Sequence, residues 1–95
     1  MRINNQEFKN LVNQGWIVVD VRSPYELSAF KTYDGAINIT YDKLLTQFSN
    51  LFPDKNTKLI TICNYGNRSS LVASKMRKAG YDNVFVLNDG IQNFN

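Results

Sequence analysis

The amino-acid sequence predicts an α/β fold in which helices cover both faces of a largely parallel sheet. Two nearly continuous apolar runs, at residues 16–21 and 58–63, are rich in β-branched side chains, as is typical of strands buried on both faces. Segments with the apolar spacing of amphipathic helices alternate with the strands. This alternation and the short links indicate a three-layer arrangement. The chain has 95 residues, which is enough for one domain, assigned to residues 1–95.

The first helix and the first clear strand are predicted from local signals. Asn4 and Glu7 have the spacing of a capping box, in which two side chains satisfy free N–H groups at a helix start. Apolar residues at helical spacing follow, and Gly15 ends the helix. The strand at residues 16–21 comes next, which leaves Arg22 at its carboxyl end.

A second helix is predicted to begin after Ser23. Ser23, Pro24 and Glu26 are favoured at the cap, the first and the third positions of a helix, and this helix runs to about residue 30. The middle of the chain then contains a loop at residues 31–35, a short strand at 36–39 and a helix from about residue 42 that ends before Pro53.

The second buried strand ends in Cys63, the only cysteine of the chain. The remaining elements are a polar loop at residues 64–67, a helix at 69–79 stopped by Gly80, a strand at 84–87 and a final helical turn after residues 88–90. Cys63 therefore leaves a buried strand and enters a short loop before a helix.

Composition excludes several classes of protein. The absence of histidine removes Ser-His-Asp triads, Cys-His dyads and most zinc sites. The net charge of +3 is dispersed along the chain, which argues against nucleic acid as a partner. The polar first ten residues do not resemble a signal peptide, and no apolar run approaches the length of a membrane span. A single cysteine forms no internal disulfide, which favours a reducing compartment and a cytoplasmic location.

The setting of Cys63 favours a reactive thiolate. The first N–H groups of a helix have no partners within the helix and carry partial positive charge. A loop curled around the sulfur would aim such groups at it, and Arg68 would add a permanent charge, so that the thiolate is favoured over the thiol. Gly66 gives the loop the conformational freedom it needs. A lone cysteine at a strand end is otherwise usually a small buried hydrophobe.

Four segments of the chain resemble, in the right order, segments of the rhodanese family. They are CNYGNRS at residues 63–69, DVR at 20–22 followed by Glu26, GAINI at 35–39 and GYDNVFVL at 80–87. The resemblance implies a rhodanese-like three-layer fold with a mainly parallel five-stranded sheet and helices on both faces. It also implies that residues 63–69 are the active-site loop of a sulfurtransferase.

The resemblance assigns a role to each residue of the loop. Cys63 is the expected nucleophile, which takes a sulfane sulfur from thiosulfate or a persulfide and passes it to cyanide or a thiol. The expected substrate-binding residues are Asn64, Tyr65, Gly66, Asn67, Arg68 and Ser69. Arg68 would attract anionic donors, and Ser69 would cap the helix or bind a donor oxygen. The expected partners are a small-molecule sulfur donor and acceptor and a sulfur-carrier protein, with no metal or organic cofactor, no nucleic acid and no membrane.

Three residues at the neighbouring strand end have expected supporting roles. An ion pair between Arg22 and Glu26 would hold this corner of the fold. Asp20 would bond to backbone or to an arginine, because a free carboxylate near the sulfur would raise the pKa of the thiol.

Other functions fit parts of the same pattern. A cysteine-dependent phosphatase or arsenate reductase also uses a cysteine, a loop of amides and an arginine, but usually with five residues between cysteine and arginine. Four residues, Asn64 to Asn67, separate Cys63 and Arg68. A non-catalytic rhodanese-fold module commonly lacks the cysteine, and a redox-sensing thiol would need an external partner to resolve its oxidised form.

Overall fold

Five parallel strands form a single sheet in the computed structural model, which describes residues 1–94. In chain order they are β1 (Arg2–Ile3), β2 (Ile17–Asp20), β3 (Ile37–Asn38), β4 (Leu59–Ile62) and β5 (Val84–Leu87). Their order across the sheet is β1-β5-β4-β2-β3, and every pairing is parallel. All carboxyl ends therefore lie at one edge, as the α/β prediction requires. The predicted domain limit at residue 95 lies outside the described residues.

In the described part of the chain, four α-helices and one short 3-10 helix connect or follow the strands. They are α1 (Asn5–Asn13), α2 (Pro24–Ala29), α3 (Tyr41–Leu51), α4 (Asn67–Lys78) and the 3-10 helix Ile91–Asn93. Both predicted capping boxes are present, at the starts of α1 and α2. Within residues 1–94, no helix is both long enough and apolar enough to cross a membrane.

The sheet separates two apolar clusters, which confirms the three-layer arrangement. One cluster packs α3 and α4 against one face and includes Val19, Leu44 and Met76. The other packs α1 and the 3-10 helix against the opposite face and includes Phe8 and Val18. Neighbouring residues of one strand, such as Val18 and Val19, enter opposite clusters, because successive side chains of a strand point to opposite faces. This explains why the strands are nearly continuous apolar runs.

Two elements differ from the sequence prediction. Helix α4 begins at Asn67, two residues earlier than predicted, and Gly66 precedes it with a left-handed φ of 95° and no side-chain cap. Strand β1 was not predicted from its residues, because it contains only two residues and forms the edge of the sheet beside β5. It completes the five strands that the family resemblance implied.

Candidate active site

The candidate site lies at the carboxyl end of the central strand. Strand β4 is paired with β5 on one side and β2 on the other, and Cys63 follows it directly. Only residues 64–66 separate Cys63 from the first residue of α4. Ligands of parallel α/β sheets bind at this edge, and the sulfur lies close to the unpaired N–H groups at the start of α4.

Hydrogen-bond donors converge on the sulfur of Cys63. The Gly66 N–H donates to Sγ at 3.1 Å, and the Ser69 Oγ lies 3.2 Å from Sγ. Cys63 is only 2% exposed, so these groups replace water around the sulfur. The left-handed φ of 95° at Gly66, which glycine adopts without strain, directs the chain from the loop into α4.

These donors favour the thiolate. Burial raises the pKa of the Cys63 thiol, but hydrogen bonds from the Ser69 hydroxyl and from the backbone N–H groups of Ser69, Gly66 and Tyr65 lower it by more. The net pKa lies below the ordinary value of a cysteine, because donors stabilise a charged sulfur more than a neutral one. The site can therefore hold an anion on sulfur.

Ser69 contacts the sulfur and does not cap the helix. It is the third residue of α4, and the cap position belongs to Gly66. Ser69 is fully buried, and its carbonyl oxygen accepts a hydrogen bond of 3.0 Å from the Thr61 hydroxyl of β4. The expectation of a plain N-cap is therefore wrong, because α4 begins earlier than the polar loop suggested.

Arg68 is held by a carboxylate of α2. Its two terminal nitrogens donate to the two carboxylate oxygens of Glu26 at 2.8 and 2.6 Å. Hydrogen bonding from Arg68 lowers the pKa of Glu26 to about 2. The pair also raises the pKa of Arg68, to which the charge of Cys63 adds a smaller contribution. Arg68 is thus near the site, but Glu26 occupies one edge of its guanidinium.

The predicted ion pair between Arg22 and Glu26 is wrong. Arg22 is fully buried and pairs with Asp20, with the shortest contact at 2.7 Å. The Asp20 carboxylate also accepts the backbone N–H of Arg22 at 3.1 Å, so Asp20 bonds to backbone and to an arginine, as expected. Arg22 lies before the cap residue Ser23 and is not part of α2, so the helical spacing that would bring it to Glu26 does not apply.

Asn64 connects the loop to this polar corner. Its Oδ1 accepts from Arg22 Nη1 at 2.7 Å, and its Nδ2 donates to Glu26 Oε2 at 3.1 Å. The two remaining loop residues face outwards: the Tyr65 side chain is exposed, and so is Asn67, the first residue of α4.

The turn after β5 also forms part of the site, which the sequence prediction missed. Ile91 N–H donates to the Cys63 carbonyl at 2.9 Å, and Gln92 N–H donates to the Asn64 carbonyl at 3.2 Å. Gly90 packs so closely on the loop that a Cβ there would lie 2.5 Å from the backbone nitrogen of Tyr65 and would also collide with the Asn64 carbonyl. The sequence predicted a turn at residues 88–90, which includes Gly90. No local pattern indicated that this turn contacts the loop after Cys63.

A cleft of about 310 Å³ opens beside Arg68. Its lining residues come from the carboxyl end of β2 and the starts of α2, α3 and α4: Val21, Ser23, Thr40, Tyr41, Asp42 and Arg68. In the part of the chain that the structure describes, no group of three or more histidine, cysteine, aspartate or glutamate side chains could hold a metal ion.

The fold and the site define an α/β protein with a buried cysteine held by loop amides at the carboxyl edge of a parallel sheet. The chain belongs to the rhodanese-like domain family, whose model matches residues 4–95. This confirms the resemblance drawn from the four sequence segments.

Similar proteins include sulfurtransferases. The chain is 29% identical over 97 residues to the adenylyltransferase and sulfurtransferase UBA4 of Meyerozyma guilliermondii, covering 95% of this chain and 22% of that protein. It is 35% identical over 88 residues to the tRNA sulfurtransferase of Shewanella loihica, covering 90% and 18%. The chain therefore spans about a fifth of the length of these curated relatives.

A solved structure matches the chain over nearly its whole length. The rhodanese-related protein from Thermoplasma volcanium superimposes with a TM-score of 0.81 at 29% identity, covering 98% of this chain and 88% of that one. The five-stranded parallel sheet with helices on both faces is thus the fold of this family.

Proposed function

We propose that this protein is a sulfurtransferase that carries sulfane sulfur as a persulfide on Cys63. One observation carries the proposal: the Gly66 N–H and the Ser69 hydroxyl lie 3.1 and 3.2 Å from a sulfur that is almost fully buried. Donors that converge on one point stabilise a thiolate, and a persulfide extends the same anion by one sulfur atom. Sulfurtransferases among the relatives support the same reaction class.

The transfer takes two displacement steps. The Cys63 thiolate attacks the outer sulfur of the donor; with thiosulfate, the S–S bond breaks, sulfite leaves with the electron pair, and Cys63 becomes a persulfide. The acceptor then attacks the terminal sulfur; with cyanide, thiocyanate leaves and the Cys63 thiolate is restored. Each step exchanges one bond to sulfur for another, so no oxidant or reductant is needed.

The donor is thiosulfate or a persulfide, and the acceptor is cyanide, a thiol or a sulfur-carrier protein. In this assignment the amides of residues 65 and 66 receive the transferred sulfur, while Arg68 and the cleft beside it face the rest of the donor. We place the reaction in the cytoplasm, because a free thiolate needs a reducing compartment.

A cysteine-dependent phosphatase is the alternative that the contacts favour less. A phosphate needs donors spread around three oxygens and an arginine that is free to bind two of them. Here only four residues lie between Cys63 and Arg68, and Glu26 takes both terminal nitrogens of that arginine.

Thiocyanate formation tests the proposed function. Wild type and Cys63→Ser are assayed with cyanide and either thiosulfate or a low-molecular-weight persulfide, and circular dichroism verifies the fold of the variant. We expect turnover by the wild type only, and no hydrolysis of p-nitrophenyl phosphate above Cys63→Ser. Thiocyanate formation at the wild-type rate by folded Cys63→Ser would overturn the proposal, and so would phosphatase turnover without thiocyanate formation.

A further inference from the structure

The side chain of Asn64 uses both of its polar atoms within the protein. Its Oδ1 accepts hydrogen bonds from Arg22 Nη1 at 2.7 Å and Gln92 Nε2 at 3.0 Å, and its Nδ2 donates to Glu26 Oε2 at 3.1 Å. Two donors facing one atom and a carboxylate facing the other fix which atom is oxygen. Asn64 therefore has a single orientation, set by three partners from two parts of the chain, the corner after β2 and the turn after β5.

Gln92 is the partner that no sequence motif indicated. It lies in the 3-10 helix and is half-buried. It bonds to Asn64 twice, because its backbone N–H donates to the Asn64 carbonyl and its side chain donates to Oδ1. These two bonds hold both the backbone and the side chain of Asn64, the residue that follows Cys63.

The orientation of the backbone at Asn64 sets the direction of the next N–H groups. The peptide unit between Asn64 and Tyr65 carries the carbonyl bound by Gln92 and, on its other side, the Tyr65 N–H. Because a peptide unit is planar, holding the carbonyl holds the N–H as well. Tyr65 and Gly66 are the loop residues whose N–H groups stabilise the charged sulfur.

We propose that Gln92 is a positioning residue, which holds Asn64 and thereby keeps the N–H groups of Tyr65 and Gly66 directed at the Cys63 sulfur. Gln92 itself does not touch the sulfur. Arg22 and Glu26 also bind the Asn64 side chain, and the Gln92 backbone N–H stays on the Asn64 carbonyl when the Gln92 side chain is replaced. Losing the side-chain bond therefore loosens the loop and does not free it completely. The inference rests on the proposed function only where sulfur transfer is the quantity measured.

The reactivity of Cys63 towards iodoacetamide, measured as a function of pH, tests this role without any sulfur donor. Gln92→Leu removes the side-chain donor while keeping a similar volume. We expect the midpoint of the alkylation profile to rise and the rate at pH 7 to fall by roughly threefold, the size typical of losing one neutral hydrogen bond. Gln92→Lys restores a donor of similar reach, and we expect it to bring the midpoint back towards the wild-type value in high salt, which screens the direct effect of the added charge on the thiolate.

The matched control is Gln47→Leu, which makes the same change of side chain at an exposed position of α3. We expect its alkylation profile to match that of the wild type. If Gln92 acts through Asn64, adding Gln92→Leu to Asn64→Ala will shift the midpoint no further.

Two results would overturn the inference. A Gln92→Leu protein with a lower melting temperature and an unchanged alkylation midpoint would show that Gln92 only stabilises the fold. Additive shifts in the double variant would show that Gln92 does not act through Asn64. If Asn64→Ala does not fold, the comparison of Gln92→Leu with Gln92→Lys decides, and equal midpoints in the two would contradict the proposal.

Discussion

A buried sulfur atom carries a negative charge only where other donors replace the water that it has lost. Cys63 meets this condition through one hydroxyl and several backbone N–H groups. The hydroxyl of Ser69 contributes the most to lowering the pKa of the thiol, after burial has raised it. Most of these donors are backbone N–H groups, which mutation cannot remove. Ser69 is therefore the side chain through which the hydrogen bonding of the sulfur can be tested.

We expect Ser69→Ala to raise the midpoint of Cys63 alkylation, because the thiolate loses its hydroxyl donor while the surrounding apolar groups remain. The sign follows from the lowered pKa: the wild type is more fully ionised at pH 7 than the variant, whose rate should fall about threefold or more. Alkylation by iodoacetamide across pH 5 to 10 is the measurement.

Ser74→Ala, more than one turn further along α4, is the control for this substitution. Its profile should match the wild type. A Ser69→Ala protein that is folded and has the wild-type midpoint would show that the amides alone set the charge of the sulfur.

The buried pair of Asp20 and Arg22 illustrates what residue spacing leaves undetermined. The sequence motif correctly marked both residues, but it suggested that Arg22 pairs with Glu26. The backbone N–H and the guanidinium of Arg22 both reach the Asp20 carboxylate, because the chain leaves β2 here and α2 has not yet begun. Side-chain pairing at such a corner depends on the local backbone path, which residue types do not specify.

Helices α2 and α4 meet through the ion pair of Glu26 and Arg68. Glu26 lies in the first turn of α2 and also closes the capping box with Ser23, while Arg68 lies in the first turn of α4. One carboxylate thus joins the starts of two helices beside the candidate active-site loop.

The contribution of this ion pair to the stability of the fold should be visible at low pH. The pKa of Glu26 is lowered from 4.5 to about 2 by Arg68. A carboxylate with a lower pKa in the folded state stabilises the protein fully above its unfolded value, and the stabilisation is lost as the pH falls. We expect the urea midpoint of the wild type to exceed that of Glu26→Gln by a constant amount above about pH 5. This difference should disappear as the pH falls from 4.5 to 2.

The comparison of urea midpoints at pH 7, 4, 3 and 2 by circular dichroism provides this measurement. Asp42→Asn, at the start of α3, serves as a carboxylate control that takes no part in the link. If the difference in urea midpoint between wild type and Glu26→Gln stays constant down to pH 2, the charge of Glu26 does not contribute to stability through this ion pair.

Element boundaries were predictable where the signal is local. The capping boxes at Asn4 and Ser23 place α1 and α2 correctly, because all their partners lie within three residues. The start of α4 was placed two residues late, since Gly66 provides a left-handed backbone and no capping side chain. Strand β1 depends on pairing with β5 more than eighty residues later, and a two-residue segment contains no period from which to predict it.

The whole molecule assembles the site from segments that are distant in sequence. The proposed nucleophile follows β4, its polar support comes from the corner after β2, and the 3-10 helix after β5 binds the loop backbone. The order of the strands makes this assembly possible, because β4 lies between β5 and β2. Residue types and spacing indicated the cysteine, its loop and the β2 corner. The contacts of Gln92 arise from the topology, so they could not be predicted from a local pattern.

The same assembly fits the transfer reaction proposed for Cys63. Sulfur has to be held as an anion, kept from solvent and yet exposed to two successive partners. Burial at the base of the loop protects the sulfur, and the donors around it hold the charge. The cleft beside Arg68, at the start of α4, is where we propose that a donor or acceptor approaches.

Intact-mass spectrometry of the protein after incubation with thiosulfate tests the central claim most directly. We predict that the wild type gains the mass of one sulfur atom, that the gain is lost on adding cyanide, and that folded Cys63→Ser gains nothing under the same conditions. A wild-type protein that remains fully unmodified, or an equal gain by Cys63→Ser, would contradict the account of Cys63 as the sulfur carrier.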